Sequence, residues 1–386
     1  MSVLNENTII GASAAGGDYE IEQSLRFNKP DSAYLSRTPS TASNRKTWTW
    51  SGWVKLNGAD NRTLFSASNP SDTGHMIRVY TNQLSILGYN GGFSYQLRTN
   101  QLFRDPSAWY HVVASVDTTQ STASNRVKMY VNGEQVTSFS EETYPSQNFE
   151  TFVNTTNEHY LGVAPYSDGL AEYFDGYLAE INFIDGQALT PDNFGETGRY
   201  GEWKPIEYAG TYGTNGFYLK FENASSLGND SAGSNNWTPN NLAATDQMLD
   251  SPTNNFATLN PLKNGGVVVS EGNTKALGIV GTPSILSTVG MSSGKWYCEF
   301  VTKAQYNSIG IVKDSIVALT SPVGVDANGY SYYDTGGIKY NNGTATSYGA
   351  SWTTNDIIGI ALDLNSATNT VTFYKNGASQ GAINLP

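Results

Sequence analysis

The chain has 386 residues and a net charge of −12, with 39 glycines, 12% aromatic and 15% charged residues. This length allows two or three domains, and the abundance of tyrosine and glycine favours strands and turns over helices. The negative charge argues against nucleic-acid binding, which depends on lysine and arginine at phosphates. No run of eighteen apolar residues occurs, so we expect no membrane insertion.

Residues 1–17 are small and uncharged apart from Glu6. They lack the basic start and the continuous apolar stretch of a secretory signal peptide. We expect an extended N-terminal arm, and the residues leave open whether it is a disordered terminus or a docking segment.

A first domain, residues 18–225, is predicted from short stretches that alternate apolar and polar residues. We interpret Trp109–Val136 as an antiparallel hairpin with one face on a core, closed by the tight turn Asn132-Gly133. The same pattern predicts strands at Ser24–Phe27, Ala33–Leu35, Trp48–Leu56, Thr63–Ser66, Met76–Tyr80, Gln83–Leu87, Ser94–Arg98, Tyr160–Val163, Gly176–Ile184 and Gly216–Phe221.

The alternation also predicts which side chains of these strands face the core. Two of the three tryptophans in Trp48–Leu56 are expected in the core and one partly covered. In Gly176–Ile184 the residues expected to face inward are Tyr177, Ala179, Ile181 and Phe183. Pro191 just after Thr190 predicts a short helical turn that ends near Gly195.

Residues 226–264 are rich in Asn, Ser and Pro and show little periodicity, which predicts a linker. Four apolar residues are expected to pin this linker to one or both domains: Trp237, Leu242, Leu249 and Phe256.

A second all-β domain is predicted over residues 265–386. Its strands are Lys295–Val301, Ser308–Val312 and the hairpin of Asp356–Leu364 with Thr370–Tyr374, which ends in another Asn-Gly turn. The only cysteine, Cys298, excludes an intrachain disulfide. It alternates with Trp296 and Phe300, so we interpret it as a small buried hydrophobe.

Three blocks in order resemble the laminin-G-like, concanavalin A-like jelly-roll family over Tyr19–Asn223: WTWSGWVKL, WYHVVASVD with RVKMYVNGEQV, and YLGV with YFDGYLAEINFIDGQALTPDNFG. Later blocks resemble the SPRY domain: GKWYCEF, SIGIV, YNNG, SYGASWTTNDIIGIALDL and TVTFYKNG. The resemblance implies an all-β chain of two antiparallel β-sandwiches, a jelly roll and then a SPRY-like sandwich, joined by the Asn/Ser/Pro-rich linker. The SPRY family has further strands after the last hairpin, so we expect the second sandwich to lack its last strands and to leave an open edge.

A polysaccharide hydrolase on such a sandwich needs two carboxylates aimed at one cleft. Glu172–Asp175 and Glu180–Asp185 lack the Glu-x-Asp-x-x-Glu spacing typical of these enzymes, and we interpret Glu180 as part of a solvated strand face. We therefore predict no catalytic residues and no cofactor. No metal site is predicted either, since the histidines lie far apart and the rim carboxylates are expected to be solvated, namely Asp168, Asp175 and Asp185.

Loops in both sandwiches place tyrosine next to asparagine, aspartate and glycine. Such residues offer a flat apolar face beside hydrogen-bonding groups, which suits a sugar ring or a partner protein. The candidate ligand-binding residues are Tyr89, Asn90, Phe93, Tyr95, Tyr166, Asp168, Tyr332, Tyr333, Tyr340 and Asn342. The alternative is that these tyrosines cap the sandwich ends or pack between subunits.

The order of the two domains and the amino-acid sequence of the linker resemble those of tailed-bacteriophage virion proteins. This resemblance implies a fibre, tail or head-decoration component, assembled in the bacterial cytoplasm and displayed on the virion surface to attach to a host-surface glycan or protein. Its arm is expected to contact other virion proteins, and an open second sandwich with weak sites favours a homo-oligomer, for which a trimer is one option. The alternatives are a free carbohydrate-binding, lectin-like module and, third, a polysaccharide hydrolase.

Overall fold

A computed structural model describes residues 19–58, 61–69, 73–278, 283–304, 307–313 and 319–386, so the arm predicted at 1–17 lies outside the described residues. The chain divides into two compact units. The first extends to Thr258 and includes Ser270–Lys275, and the second comprises Leu259–Val269 and Ala276–Pro386. The all-β fold class predicted from the sequence is confirmed. In the part of the chain that the structure describes, no helix is long and apolar enough to cross a membrane.

Among the described residues, the first unit contains twenty strands. They are β1 Ser24–Phe27, β2 Tyr34–Arg37, β3 Thr47–Leu56, β4 Arg62–Asn69, β5 Thr73–Tyr80, β6 Gln83–Asn90, β7 Phe93–Thr99, β8 Trp109–Asp117, β9 Val127–Val131, β10 Glu134–Gln135, β11 Phe139–Thr143, β12 His159–Leu161, β13 Ala164–Tyr166, β14 Gly169–Ala171, β15 Gly176–Asp185, β16 Gly195–Thr197, β17 Trp203–Pro205, β18 Phe217–Leu219, β19 Thr238–Asn240 and β20 Gln247–Met248. Single 3-10 turns lie at Lys29–Asp31, Ala123–Asn125, Pro191–Asn193 and Ala244–Asp246.

Two antiparallel sheets face each other across the core of this unit. The first has the order β10-β9-β8-β3-β15-β1-β20, with β18 also paired to β15, and the second has the order β11-β7-β6-β5-β4-β12-β2-β19. The predicted hairpin is confirmed, because Val112 lies opposite Val131 and Val116 opposite Val127. Its inward side chains join a core that includes Trp48 and Trp50. Alternation therefore located the core face correctly.

Strand β15 departs from the predicted alternation. Its register with β3 shifts between Ala179 and Asn182, and Glu180 has a φ of +53°. A bulge of this kind places two successive residues on one face of the strand. Ile181 reaches the main core, whereas Tyr177 and Ala179 pack in a second cluster on the opposite face. The prediction that Tyr177 and Ala179 face the main core was wrong for this reason.

Much of the predicted linker belongs to the first unit. Trp237 is buried against Phe217 with ring centroids 4.9 Å apart, and Leu242 packs at the rim of the same core. Lys55 is fully buried, and its ammonium group donates to the Asp250 carboxylate at 2.7 Å. Leu249 and Phe256 are exposed, so their predicted role as anchors was wrong. Polar contacts around Asp250 hold this segment instead.

The strands that follow are β21 Leu259–Asn264, β22 Val267–Ser270, β23 Lys275–Gly278, β24 Ile285–Ser287, β25 Lys295–Val301, β26 Ser308–Val312, β27 Gly329–Tyr333, β28 Ile338–Asn341, β29 Thr344–Ser347, β30 Ile357–Asp363, β31 Thr370–Lys375 and β32 Ala378–Asn384, with a 3-10 turn at Thr335–Gly337. They include two four-stranded sheets, β25-β30-β31-β32 and β26-β27-β28-β29. Strand β32 extends the first of these beyond the last predicted hairpin.

The core of the second unit is small and does not reach strand β25. Tyr332, Trp352, Ile358, Val371 and Phe373 are among its buried members. Cys298 is exposed, which overturns the prediction of a buried hydrophobe. The cause is that β25 lies at the end of its sheet, where no described element covers the face that carries this thiol.

Candidate functional site

The structure brings three of the predicted ligand residues together on the outer face of the second sheet. The rings of Tyr89 and Phe93 meet edge to face at 5.5 Å. Tyr89 and Tyr166 pack on a small apolar cluster, which is formed by Met76, Leu87 and Ala164. Through this contact the β13–β14 hairpin lies against strands β5 and β6. We call this region the outer-face site.

The remaining candidates of the first unit divide into exposed and buried residues. Asn90, the last residue of β6, and Asp168, on the turn after Tyr166, are exposed. Tyr95 is fully buried in the core and shares a 2.9 Å hydrogen bond with His75 Nδ1. The prediction that Tyr95 contacts a ligand was wrong, because at the start of β7 the alternation turns its side chain inward.

In the second unit the candidate residues do not form a single exposed site. Tyr332 is fully buried and its hydroxyl group donates to the Ala350 carbonyl oxygen, so its predicted contact with a ligand was also wrong. Tyr333 and Tyr340 are half-buried and meet edge to face at 5.8 Å. Asn342 is exposed at a turn, with a φ of +50°.

The floor of the outer-face site consists of polar residues that the sequence analysis missed. Strand pairing aligns Arg78, Ser85 and Arg98 in one row across β5, β6 and β7. Leu87 and Gln96 lie opposite each other in the next row. These side chains alternate with core residues on the same strands, and therefore project from the outer face.

A tyrosine and a carboxylate organise the two arginines. The Arg78 and Arg98 guanidinium groups lie 4.6 and 4.8 Å from the Tyr80 ring centroid, within the range of cation–π attraction. Arg78 Nη1 also donates to both carboxylate oxygens of Glu172 at 3.0 Å. Burial, followed by the Glu172 charge, raises the pKa of Tyr166 to about 12, so its hydroxyl group stays protonated as a donor.

Several polar atoms of this floor are buried without a hydrogen-bond partner. They are Arg78 Nε, Ser85 Oγ, Gln96 Nε2 and Arg98 Nε. Leaving such a group unpaired costs about 1–3 kcal/mol, and native structures contain few of them. Water or a polar ligand that reached these two adjacent rows would supply the missing hydrogen bonds. The sequence does show charged residues that alternate with apolar ones along these strands. A strand with one solvated face gives the same pattern, so the pattern alone does not predict a binding site.

Glu180, predicted to lie on a solvated face, is instead buried. Its carboxylate accepts hydrogen bonds from the Tyr19 hydroxyl group at 2.8 Å and from the Tyr218 hydroxyl group. Burial raises the pKa of Glu180 to about 7, against the opposing effect of these two hydrogen bonds. The prediction failed because Tyr19 and Tyr218 lie far away in the sequence and cover the bulge only in the folded chain.

The three histidines hold structural positions. His75, His111 and His159 are all buried, and burial lowers the pKa of each, to about 3 for His75 and His111 and about 4 for His159. His111 accepts the Trp203 indole N–H at 2.9 Å and contacts Ser51 Oγ at 2.8 Å. Within the described ranges, no three His, Cys, Asp or Glu side chains are grouped so that they could hold a metal ion.

Two segments of the chain match known protein families. Residues 29–193 match the concanavalin A-like lectin/glucanases superfamily. Residues 295–383 match the SPRY domain. The two segments that match these families are those that the sequence blocks indicated. No curated protein matches the chain.

The solved structures that this chain resembles are distant. A proposed carbohydrate-binding protein of Bacteroides ovatus is 16% identical, with a TM-score of 0.40 over 57% of this chain and 59% of that one. The CBM40 domain of Ruminococcus gnavus IT-sialidase is 14% identical, with a TM-score of 0.32 over 46% and 94%. Domains LG4-5 of the mouse laminin alpha1 chain are 13% identical, with a TM-score of 0.35 over 96% and 80%. This chain therefore spans 59% of the Bacteroides protein, and likenesses this distant assign no function.

Proposed function

We propose that the first unit is a non-catalytic glycan-binding module and that the outer-face site holds the sugar. The observation that carries this proposal is the set of buried, unpaired polar groups on β5, β6 and β7. Sugar hydroxyl groups both donate and accept hydrogen bonds, so they match the guanidinium, hydroxyl and amide groups of the two adjacent rows. Tyr89 and Tyr166 supply apolar surface beside that row.

The charge of the floor favours an acidic sugar. Glu172 neutralises Arg78, whereas no carboxylate of the described residues pairs with Arg98. A guanidinium group binds a carboxylate or sulfate through charge-assisted hydrogen bonds, which are about twice as strong as neutral ones. Glu141 lies opposite Arg98 on β11, but among the described residues it forms no ion pair with Arg98, so this guanidinium group can still bind an acidic group.

A glycan array probed with the full chain tests this proposal. Neutral and acidic glycans should be compared at high surface density, because a single shallow site reaches only about millimolar affinity. We expect binding to acidic glycans that falls roughly tenfold or more in Arg98→Ala and in Gln96→Ala. The matched control is Arg104→Ala, which removes an exposed arginine outside the site. Equal binding by all variants would contradict the proposal.

The non-catalytic part of the proposal is tested separately. Glu172 is engaged by Arg78 and Glu180 is covered by two tyrosines, so neither carboxylate is placed as one of an exposed catalytic pair. Incubation of the chain with the glycans that it binds should release no reducing ends. Release that disappears in Glu172→Gln or Glu180→Gln would favour the hydrolase alternative.

For the biological setting, we propose a virion surface component of a tailed bacteriophage. This proposal is supported by the resemblance of the domain order and of the linker sequence to those of such virion proteins. In this setting the arm at residues 1–17 docks on other virion proteins, and the chain displays its glycan site to the host surface in several copies. A chain that lacks residues 1–17 should remain folded but be missing from purified particles. Normal incorporation of that chain would contradict the docking role.

A further inference from the structure

Strand β25 is an exposed apolar edge. It pairs with β30 on one side, and no described strand pairs with its other side. Tyr297 and Val301 are more than half exposed, at 56% and 52%, and Phe300 is 37% exposed. An edge strand with free backbone groups and apolar side chains is a template for pairing with another strand.

The hydrogen-bond pattern shows which backbone groups face the open side. Thr302 donates to the Asp356 carbonyl oxygen, and Leu364 donates to that of Gly294. Because bonded positions alternate in an antiparallel pair, the even-numbered residues of β25 bond to β30. Lys295, Tyr297, Glu299 and Val301 therefore direct their N–H and C=O groups towards the open edge.

This geometry restricts how β25 can pair with a second copy of itself. In a two-fold antiparallel pair, odd-numbered residues must lie opposite odd-numbered residues. When Tyr297 lies opposite Tyr297 of the second copy, Lys295 faces Glu299 at both ends. Sliding one strand by two residues along the other, in either direction, places Lys295 opposite Val301 or Tyr297. Sliding it by four residues places Glu299 opposite Glu299 or Lys295 opposite Lys295. Of these registers, only the one centred on Tyr297 is charge-complementary.

We propose that β25 pairs with β25 of a second copy of this chain, centred on Tyr297, to form a continuous eight-stranded sheet. The two charges are available, although each has a contact within its own chain. Lys295 is 70% exposed beside Asp363 at 2.9 Å, and exposed Glu299 accepts the Tyr297 hydroxyl group at 2.8 Å. The inference is independent of the glycan site. Pairing would bring two such sites together in one dimer.

Charge reversal tests the pairing in the full chain. Sedimentation over a concentration series should show a monomer–dimer equilibrium. Glu299→Lys places two lysines opposite each other at both ends and should raise the dissociation constant roughly tenfold. The double variant Lys295→Glu/Glu299→Lys restores opposite charges and should return the constant to within about threefold of the original. A wild-type chain that remains monomeric, or a double variant as weak as Glu299→Lys, would overturn the proposal.

Cross-linking tests the register. Paired Cα atoms in a sheet lie about 5 Å apart, within disulfide range. Tyr297→Cys/Cys298→Ser should therefore form a covalent dimer under oxidation. The matched control, Glu299→Cys/Cys298→Ser, places the thiols four residues out of register and should stay monomeric on a non-reducing gel. Equal cross-linking of both variants would indicate random collision and overturn the register. Tyr297→Pro removes the tyrosine side chain and an N–H on the open edge, but no N–H that bonds to β30, so it should weaken association without loss of fold.

Discussion

The hydroxyl group of Tyr19 lies 2.8 Å from the Glu180 carboxylate, across 161 positions of sequence. The same carboxylate oxygen contacts the Tyr218 hydroxyl group, and the two tyrosine oxygens are 2.6 Å apart. Three oxygen atoms thus make three mutual contacts, and three hydrogen bonds require three protons. The tyrosines supply two of them. When both tyrosines donate to the carboxylate, no proton is left for the contact between them, so the third hydrogen bond forms only when Glu180 is protonated and donates to one of the tyrosines.

Glu180 is expected to make the first unit less stable as the pH rises. Its pKa is raised by burial from 4.5 to about 7, so the folded state binds the proton more tightly than the unfolded state does. The resulting stabilisation is full below about pH 4.5 and is lost as the pH rises through 7. Between pH 5 and 8 this amounts to roughly 2–3 kcal/mol of unfolding free energy. Urea unfolding of the wild type and Glu180→Gln at both pH values measures it.

The histidines make the Gln variant a necessary control. Burial lowers the pKa of His75, His111 and His159, so their contribution to stability is lost as the pH falls, opposite in sign to that of Glu180. The wild type and Glu180→Gln share this contribution from the histidines. The difference between their unfolding free energies therefore isolates the contribution of Glu180. Parallel pH dependences of the two proteins would contradict the protonated triangle.

The buried ion pair of Lys55 and Asp250 should hold residues 250–256 on the first unit. Lys55 Nζ also donates to the Asn255 side chain at 2.8 Å, and the Trp109 indole N–H donates to Asp250 at 3.1 Å. Desolvation lowers the pKa of Lys55, and the Asp250 charge opposes this effect. Asp250→Ala leaves a buried ammonium group without its counter-ion, so we expect a loss of about 3–5 kcal/mol in unfolding free energy.

An exposed ion pair provides the control for this prediction. Arg45 and Glu150 lie 2.8 Å apart, with Glu150 half exposed, so Glu150→Ala should cost less than about 1 kcal/mol. The double variant Lys55→Met/Asp250→Ala removes the uncompensated charge and should recover part of the loss. Denaturant unfolding of the three variants compares them. An Asp250→Ala cost as small as that of Glu150→Ala would contradict a structural role for the pair.

Local pattern was sufficient to predict some of the strands, but it missed several short ones, such as Phe139–Thr143 and Leu259–Asn264. Lys295–Val301 and Ser308–Val312 have the predicted bounds, because apolar alternation between turn residues encodes a strand directly. The pattern could not predict the bulge at Glu180, since the tyrosines that cover it lie far away in sequence. It also could not predict exposure of Cys298, which depends on how far the opposite sheet of the second unit extends.

The candidate site was predictable only in part. Residue type identified Tyr89 and Tyr166, which the fold brings onto one apolar cluster. The alignment of Arg78 with Arg98 depends on the register of three strands, and register is a tertiary property that composition does not contain. Tyr95 had the same local composition as Tyr89, yet faces the core, because composition alone does not specify the face.

The two Asn-Gly turns should differ in their tolerance of alanine. Asn132 and Gly133 have φ of +48° and +84°, and Asn376 and Gly377 have φ of +49° and +79°. An added Cβ at Gly133 would lie 2.5 Å from the Trp203 ring, whereas at Gly377 it would meet nothing within 4 Å. Gly377→Ala should therefore cost only the strain of the left-handed backbone, about 1–2 kcal/mol. Gly133→Ala should cost about 1–3 kcal/mol more, because Trp203 must move. Thermal unfolding of both variants compares these costs, and equal losses would show that Trp203 yields freely.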